Sequence, residues 1–529
     1  MLFTSYHFIG FLALLFLLYY LLPRKWQWGL LLLASLVFYA AGGVQYLAFV
    51  FVTTASSYLV ARLMGKLRER EDAYVAEHRE TLDKETRKAY RAKEKKKRLR
   101  VLLCGIVLNF GILAVLKYTA FAVTGVNSLL GVFGGKALAV PSLLLPMGIS
   151  FYTFQTMGYL LDVYRAKATP EKNFFRFALF VSFFPQMVQG PISRFGELAP
   201  ELFAPHDFDA KQVTFGLQRI LWGYFKKLVI ADRILVAMNT MLDAPEHYRG
   251  VYTLLLILLY SIEIYADFTG GIDITIGVAQ VLGIRVAENF RHPFLSRSTK
   301  EYWNRWHITM GTWFTDYIFY PLSVSSSMLK LNKWARKHLG NKIGSRIPVY
   351  LTTTVTWFLT GLWHGAGWNF IVWGLLNCFV ILVSDECKPL YRRFHAHFPS
   401  LEQNGAYGAF CALRTFLLMG VIRSLDCYRN VGTTFRMWGS MFTVWNWDEL
   451  FSGGLLRLGL DSADYVILAV SVAVLCGINL LSVKKSVRER LYDRPALSAV
   501  LCGGLLVVIL LFGAYGVGYD ATQFIYNQF

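Results

Sequence analysis

Long apolar runs separated by short basic segments dominate the chain. No Asp, Glu, Lys or Arg occurs in residues 1–22, 347–384 or 496–519. A membrane-spanning helix needs about 20 such residues. The pattern therefore predicts an all-α polytopic membrane protein, a single integral membrane domain over residues 1–529 with roughly 11–14 membrane segments. It excludes a soluble enzyme and a secreted module.

The basic residues fall mostly in the short loops between apolar runs. The chain has 54 Lys and Arg against 34 Asp and Glu, a net charge of +20. Because such loops stay in the cytoplasm, this bias predicts topology rather than nucleic-acid binding; attraction of an anionic substrate or lipid is the alternative. Arg24 and Lys25 then place the N-terminus outside, residues 66–100 form a basic cytoplasmic insertion, and residues 517–529 form an extracytoplasmic tail.

His364 interrupts the longest apolar run, in the turn WHGAG at residues 363–367. A helix from residue 347 to residue 362 reaches about 24 Å, against a hydrocarbon core of about 30 Å. We therefore expect His364 past the membrane midplane on a glycine-flexed break. An ionisable residue there indicates function, and imidazole suits proton transfer. The alternative is a neutral histidine satisfied by one hydrogen bond in the helix bundle.

A second candidate is His307 in the segment EYWNRWH, where the tryptophans also fit an interface anchor. A third is the acidic set Glu263, Asp267 and Asp273. These carboxylates are expected to pair with Arg or Lys of a neighbouring segment, with Arg291 and Arg305 as candidates; binding a cation is the alternative. No paired His or Cys motif has metal-ligand spacing, so no metal site is predicted.

Several of these motifs together resemble the membrane-bound O-acyltransferase (MBOAT) family. The likeness is to its bacterial branch of the alginate O-acetylation membrane-subunit type, which is related to the teichoic acid D-alanine transfer protein. It is carried by EIYADFTG at residues 263–270, ENFRHPF at 288–294, YWNRWH at 302–307, GLWHGAGW at 361–368, LPMGISF at 145–151, QGPI at 189–192 and the ending FIYNQF.

The resemblance implies a ring of tilted helices around a central tunnel, with a catalytic core at residues 145–385 and placement in a bacterial cell membrane. It implies that His364 is the catalytic base and that His307 assists. Residues expected at the substrate are Trp303, Asn304, Arg305 and Trp363. Three further basic residues, Lys226, Lys227 and Arg291, are expected with Arg305 to hold the phosphates of the donor.

The function implied is transfer of an acyl group, most simply acetyl, to an exported or cell-surface polysaccharide. The donor is a cytoplasmic thioester, acetyl-CoA or an acyl carrier, with no bound cofactor. Partners are membrane lipid and an extracytoplasmic acyltransferase that completes the transfer. Tyr526 in the tail is either a covalent acyl relay to that partner or an aromatic interface anchor. D-alanyl or lipid O-acylation within the family, and a transporter or flippase with carboxylate ion sites, are the alternative functions.

Overall fold

A computed structural model describes residues 3–515 of the chain. It divides into two compact units, residues 1–213 with 278–287 and residues 214–277 with 288–529. In the described part the regular elements are helical. The helices are α1 Tyr6–Leu21, α2 Gln27–Ala40, α3 Leu47–Glu77, α4 Lys84–Val132, α5 Ile149–Tyr164, α6 Phe174–Ser182, α7 Phe184–Met187, α8 Phe195–Phe203, α9 Ala210–Tyr224, α10 Asp232–Asp243, α11 Val251–Val281, α12 Thr299–Arg305, α13 Ile308–Phe314, α14 Tyr320–Ser323, α15 Ser326–Gly344, α16 Ile347–His364, α17 Trp368–Glu386, α18 Lys388–His397, α19 Gly405–Tyr428, α20 Val431–Thr443, α21 Ser462–Leu481, α22 Val487–Tyr492 and α23 Pro495–Phe512.

Seven of the described helices are long and apolar enough to cross a membrane: α3, α4, α11, α17, α19, α21 and α23. Several other predicted segments form shorter helices, among them α2 with 14 residues and α6 with 9. At 1.5 Å per residue these are too short to cross a hydrocarbon core of about 30 Å unaided. The all-α polytopic class is confirmed. The number of described helices long enough to cross a membrane is below the predicted 11–14, because several predicted segments form these short helices.

The basic segment 66–100 is mostly helical, and part of it is buried. It forms the end of α3 and the start of α4, where Glu71 and Arg98 are buried and ion-paired with each other. Asp83 caps α4, because its carboxylate accepts hydrogen bonds from Thr86. These bonds keep the pKa of the Asp83 carboxyl below its ordinary value.

Residues 214–240 are largely buried in the second unit. Residues 225–231 form a π-helical stretch between α9 and α10, and all seven are buried. Two lysines there project into an acidic neighbourhood on α11. The segment is therefore part of the core rather than a surface element.

The apolar run 347–384 forms a helical hairpin, as its length and its glycine break predict. Helices α16 and α17 are joined by residues 365–367. The two helices pack at glycines: a Cβ atom on Gly361 would lie 2.4 Å from the carbonyl oxygen of Phe370, and one on Gly374 would lie 2.5 Å from that of Trp357. Glycine at both positions lets the backbones touch, which fixes the turn beside His364.

Candidate active site

His307 occupies a backbone kink between α12 and α13. Its φ of 47° places it in the left-handed region, which a residue with a Cβ atom enters at a cost of about 1–3 kcal/mol. The side chain is fully buried, at 0% exposure. A strained and buried histidine persists only when its surroundings hold it in place, so the contacts around the kink define the site.

Asn289 holds this kink from the preceding loop. Its main-chain oxygen accepts the N–H of Ile308 at 3.0 Å. Its Oδ1 accepts the N–H of Thr309 at 3.0 Å and the Thr309 hydroxyl at 2.9 Å, and lies 3.3 Å from Nδ1 of His307. The main-chain N–H of Thr309 can only donate, so the Asn289 atom that it contacts is the acceptor Oδ1. Nδ1 of His307 therefore donates to the same Oδ1 and carries the proton, and Nε2 carries the lone pair.

Arg423 supports the same kink from α19. One of its terminal nitrogens donates to the Tyr302 hydroxyl at 2.7 Å, and the guanidinium carbon lies 3.9 Å from the centre of the Trp306 ring. The residue is 5% exposed. A guanidinium stacked on an aromatic face in a desolvated place contributes about 2 kcal/mol or more. The buried positive charge of Arg423 therefore lies against Trp306, the residue that precedes His307.

His364 is the last residue of α16, and the chain after it turns extended at Gly365. It is only partly buried. Its ring centre lies 5.1 Å from that of Trp363 and 4.6 Å from that of Trp373. Trp363 also contacts His307, with the ring centres 5.8 Å apart. One indole therefore bridges the two histidines that the sequence singled out, and the structure brings them to one place.

The remaining predicted substrate residues fall into two groups. The ring of Trp303 packs against those of Trp357 and Trp373, with the ring centres 4.9 and 5.7 Å apart. Because Trp373 also packs against His364, Trp303 belongs to the same aromatic cluster as His364. Asn304 is exposed, and Arg305 is ion-paired with Glu301 at 2.6 Å. Arg291 is exposed, and its main-chain N–H donates to the Arg305 oxygen at 2.9 Å, which places the two arginines side by side.

The two lysines expected at the donor phosphates are instead buried in ion pairs. Lys226 is 2.6 Å from Asp273, and Lys227 is 2.7 Å from Asp232 and 2.6 Å from Asp267. At 2% and 1% exposure they neutralise carboxylates of the core, so the structure gives them a structural role.

Asp267 and Asp273 of α11 pair with basic residues, as expected, but with residues other than the predicted partners. Asp273 is ion-paired with Arg219 at 2.8 Å in addition to Lys226. Arg219 also binds Glu288 through two nitrogens, at 2.6 Å each. The predicted partners Arg291 and Arg305 do not pair with these carboxylates, because basic residues of segment 219–227 lie against α11 instead.

A cavity of about 650 Å³ opens at the turn that follows His364. It is lined by residues 366–370, Val372 and residues 429–432. The side chain of Asn369 donates to the carbonyl oxygen of Leu425 at 3.3 Å, which ties the start of α17 to the end of α19. The last predicted site residue, Tyr526, lies outside the described residues.

Comparison with known proteins identifies the family of the chain. A sequence model of MBOAT, the membrane-bound O-acyltransferase family, matches residues 165–425. The chain is also 31% identical over 477 residues to a probable alginate O-acetylase AlgI of Pseudomonas aeruginosa, across 89% of this chain and 81% of that protein. The chain belongs to the membrane-bound O-acyltransferase family.

Other relatives are also acyltransferases by their names. A peptidoglycan O-acetyltransferase of Helicobacter pylori is 29% identical over 423 residues, 74% of this chain and 71% of that protein. A teichoic acid D-alanyltransferase of Bacillus subtilis is 26% identical over 261 residues, 49% of this chain and 62% of that protein. The chain is therefore a multi-pass membrane acyltransferase, and the transporter alternative is set aside.

Asn289 and Arg423 are members of this candidate site that the sequence analysis did not single out. Arg423 carried a usable signal, because it is a charged residue within the apolar stretch 408–424, where an ionisable side chain indicates function or a buried partner. Asn289 carried no local signal, since its role depends on a kink 18 residues away in the chain.

Proposed function

We propose that the chain transfers an acetyl group from a cytoplasmic thioester to a hydroxyl group of an exported or cell-surface polysaccharide, in the cell membrane of a bacterium. The observation that carries the proposal is the placement of His364, which ends α16 two residues before the cavity-lining Ala366 and contacts the indole of Trp363 that His307 also contacts. The relatives that span most of this chain act, by their names, on alginate and peptidoglycan, which supports a polysaccharide acceptor and an acetyl group.

In the proposed reaction, His364 acts as the general base. Its imidazole takes the proton of the acceptor hydroxyl, and the hydroxyl oxygen attacks the thioester carbonyl carbon. The tetrahedral intermediate then collapses: the carbon–sulfur bond breaks, the ester remains on the acceptor, and the leaving thiolate takes the proton from the His364 imidazolium, which restores the base. Metal or redox chemistry is not required for this balance.

His307 has a positioning role in this proposal. Its Nδ1 proton is held by Asn289, so its Nε2 lone pair has a fixed direction. The Arg423 charge stacked on Trp306 stabilises negative charge that develops nearby, because charges interact strongly in a desolvated site. Both effects lower the activation barrier, and neither His307 nor Arg423 changes its protonation state during the reaction.

The donor is acetyl-CoA or an acyl carrier thioester, for which we propose Arg291 and Arg305 as phosphate contacts. A guanidinium group can bind two phosphate oxygens at once. The hydrogen bond between the main chains of Arg291 and Arg305 brings these two residues together. Lys226 and Lys227 are left out of this set, because their ion pairs with carboxylates already hold them in the core.

Tyr526 keeps its two interpretations, a covalent relay to an extracytoplasmic partner enzyme or an aromatic anchor. In the relay, the tyrosine oxygen takes the acetyl group from the thioester as an ester and later passes it on. Mass spectrometry of the C-terminal peptide during turnover decides between them: an acetyl adduct of Tyr526 supports the relay, and an unmodified peptide under steady turnover supports the anchor.

The purified full-length protein with acetyl-CoA tests the proposed reaction. Release of free thiol should depend on an oligosaccharide acceptor and should fall by about 1,000-fold or more in His364→Ala. His338→Ala is the matched control, because His338 is an exposed histidine of α15 outside the site. An unchanged rate in His364→Ala, with the protein folded, would remove this residue from the mechanism.

A further inference from the structure

Two short segments, residues 289–292 and 305–308, lie side by side in the second unit. Near one end, the main-chain N–H of Arg291 donates to the carbonyl oxygen of Arg305 at 2.9 Å, and near the other end the carbonyl oxygen of Asn289 accepts a main-chain N–H at 3.0 Å. The two arginines proposed for the donor are therefore joined through the backbone. Whatever fixes the first segment also fixes the place of these arginines.

His292 ends the first segment in a left-handed conformation, with a φ of 49°. A residue with a Cβ atom stays in this conformation only where its surroundings hold it. Its carbonyl oxygen lies 3.5 Å from one terminal nitrogen of Arg305, and the other terminal nitrogen pairs with Glu301 at 2.6 Å. The backbone at His292 thus supplies one of the two oxygens between which the Arg305 guanidinium is held.

Asn479 of α21 holds the His292 side chain. Its Oδ1 lies 3.1 Å from Nδ1 of His292 and accepts the hydroxyl of Tyr265 at 3.1 Å. Since Oδ1 is an acceptor, Nδ1 of His292 carries the proton of this hydrogen bond. Tyr265 is 6% exposed, and its ring centre lies 4.7 Å from that of Phe294, two residues after His292. One amide therefore joins α11, α21 and the segment that ends at His292.

The end of α21 that carries Asn479 is the end with a basic flank. No charged residue occurs from residue 465 to residue 483, and Lys484 and Lys485 follow. An amide in such an apolar helix is costly unless it is hydrogen-bonded, which makes its two contacts specific. Because basic flanks stay in the cytoplasm, these contacts lie towards the side from which the thioester arrives in the proposed reaction.

We propose that Asn479 and His292 are positioning residues for the acyl donor. Their hydrogen bond fixes the left-handed backbone at His292, and this backbone directs the guanidinium groups of Arg291 and Arg305 towards the phosphates of the thioester. The network acts on donor affinity, whereas the contacts that hold His307 act on the rate of transfer. This inference rests on the proposed function and adds the residues that set the affinity of its site for a phosphate-bearing donor.

The test measures kcat and KM for acetyl-CoA with the full-length protein in lipid nanodiscs and a saturating oligosaccharide acceptor. Asn479→Leu replaces the amide by an apolar side chain of similar size, which a membrane helix accepts. It should raise the KM for acetyl-CoA by about 10-fold, because the arginines lose their fixed direction, and should change kcat by less than about 2-fold. His292→Asn should have the same effect, since asparagine tolerates the left-handed backbone but lacks the imidazole.

Combined variants show whether the network acts through the two arginines. Arg291→Gln together with Arg305→Gln should raise the KM for acetyl-CoA by about 10-fold or more, and adding Asn479→Leu should raise it no further. Val474→Ala is the control, because Val474 is an exposed residue of the same helix, five residues before Asn479. This control should keep the wild-type kcat, KM and thermal midpoint.

Wild-type KM values in both Asn479→Leu and His292→Asn would overturn the positioning role. A KM effect of Asn479→Leu that persists in full without the two arginines would overturn it as well, and so would a loss confined to kcat or to the thermal midpoint. Absence of acceptor-dependent thioester cleavage by the wild type would instead overturn the proposed function on which this inference rests, so the two failures are distinguishable.

Discussion

The turns that carry His307 and His364 differ in how firmly they are held. The His307 turn is strained, fully buried and fixed by Asn289 from one side and by Arg423 from another. The His364 turn contains Gly365 and Gly367 beside a cavity, and its histidine is only partly buried. A group that must exchange protons with an arriving hydroxyl needs access, and a group that sets direction and charge needs rigidity. This difference supports the proposed division of roles, in which His364 is the base and His307 is a positioning residue.

The largest difference is expected between the two histidines themselves. His364→Ala should lower kcat by about 1,000-fold or more, because the base is lost. His307→Asn should lower it by about 100-fold, because orientation is lost while the base remains, and asparagine tolerates the left-handed backbone. Turnover of both purified variants checks this order, and equal losses would contradict the division of roles.

Arg423→Gln should lower kcat by about 100-fold with a smaller change in KM. The variant removes the buried charge beside Trp306, and a charge that acts in the transition state affects kcat most. Arg423→Lys should recover part of the loss. Arg414→Gln, on the exposed side of the same helix, is the control. A loss in Arg423→Gln that appears only as a lower thermal midpoint would show that the residue is purely structural.

Asn289→Ala should lower kcat by about 10-fold. Without Oδ1, the Nδ1 proton of His307 loses its acceptor, so the second tautomer becomes populated and the Nε2 lone pair is less available. Nitrogen-15 NMR of labelled histidine reports the tautomer directly. An unchanged tautomer together with wild-type turnover would show that Asn289 does not set the direction of His307.

The smallest effect on turnover is expected from the helix hairpin. Gly374→Ala places a Cβ atom 2.5 Å from the Trp357 carbonyl oxygen, so α16 and α17 must separate. Overpacking of this kind costs about 1–3 kcal/mol and should lower the thermal midpoint by several degrees. Gly477→Ala is the control, since a Cβ atom at that position of α21 would meet open space. Equal midpoints would show that the hairpin tolerates the separation.

The sequence predicted those parts of the site that depend on local pattern. The hairpin of residues 347–384 follows from an uncharged run too long for one helix and interrupted by glycines, and His364 lies at its turn as expected. The pairing of Asp267 and Asp273 followed from the cost of burying a charge without a partner.

The sequence did not predict contacts between distant segments. Lys226 and Lys227 reach carboxylates of α11 from residues 225–231, which take a π-helical form that no local pattern marks. Nor does the sequence around His307 show that its backbone is left-handed, because that strain is maintained by Asn289 and Arg423 from elsewhere in the fold. Tertiary contacts decided these features.

The central claim is that His364 serves an acyl donor from one side of the membrane and an acceptor from the other. Proteoliposomes with the protein in one orientation test it most directly, with acetyl-CoA outside the vesicle, on the cytoplasmic face of the protein, and an oligosaccharide enclosed within. We predict acetylated oligosaccharide inside the vesicle with the wild-type protein and none with His364→Ala. Acetylation only of acceptors that share the donor's compartment, or equal acetylation by His364→Ala, would contradict the claim.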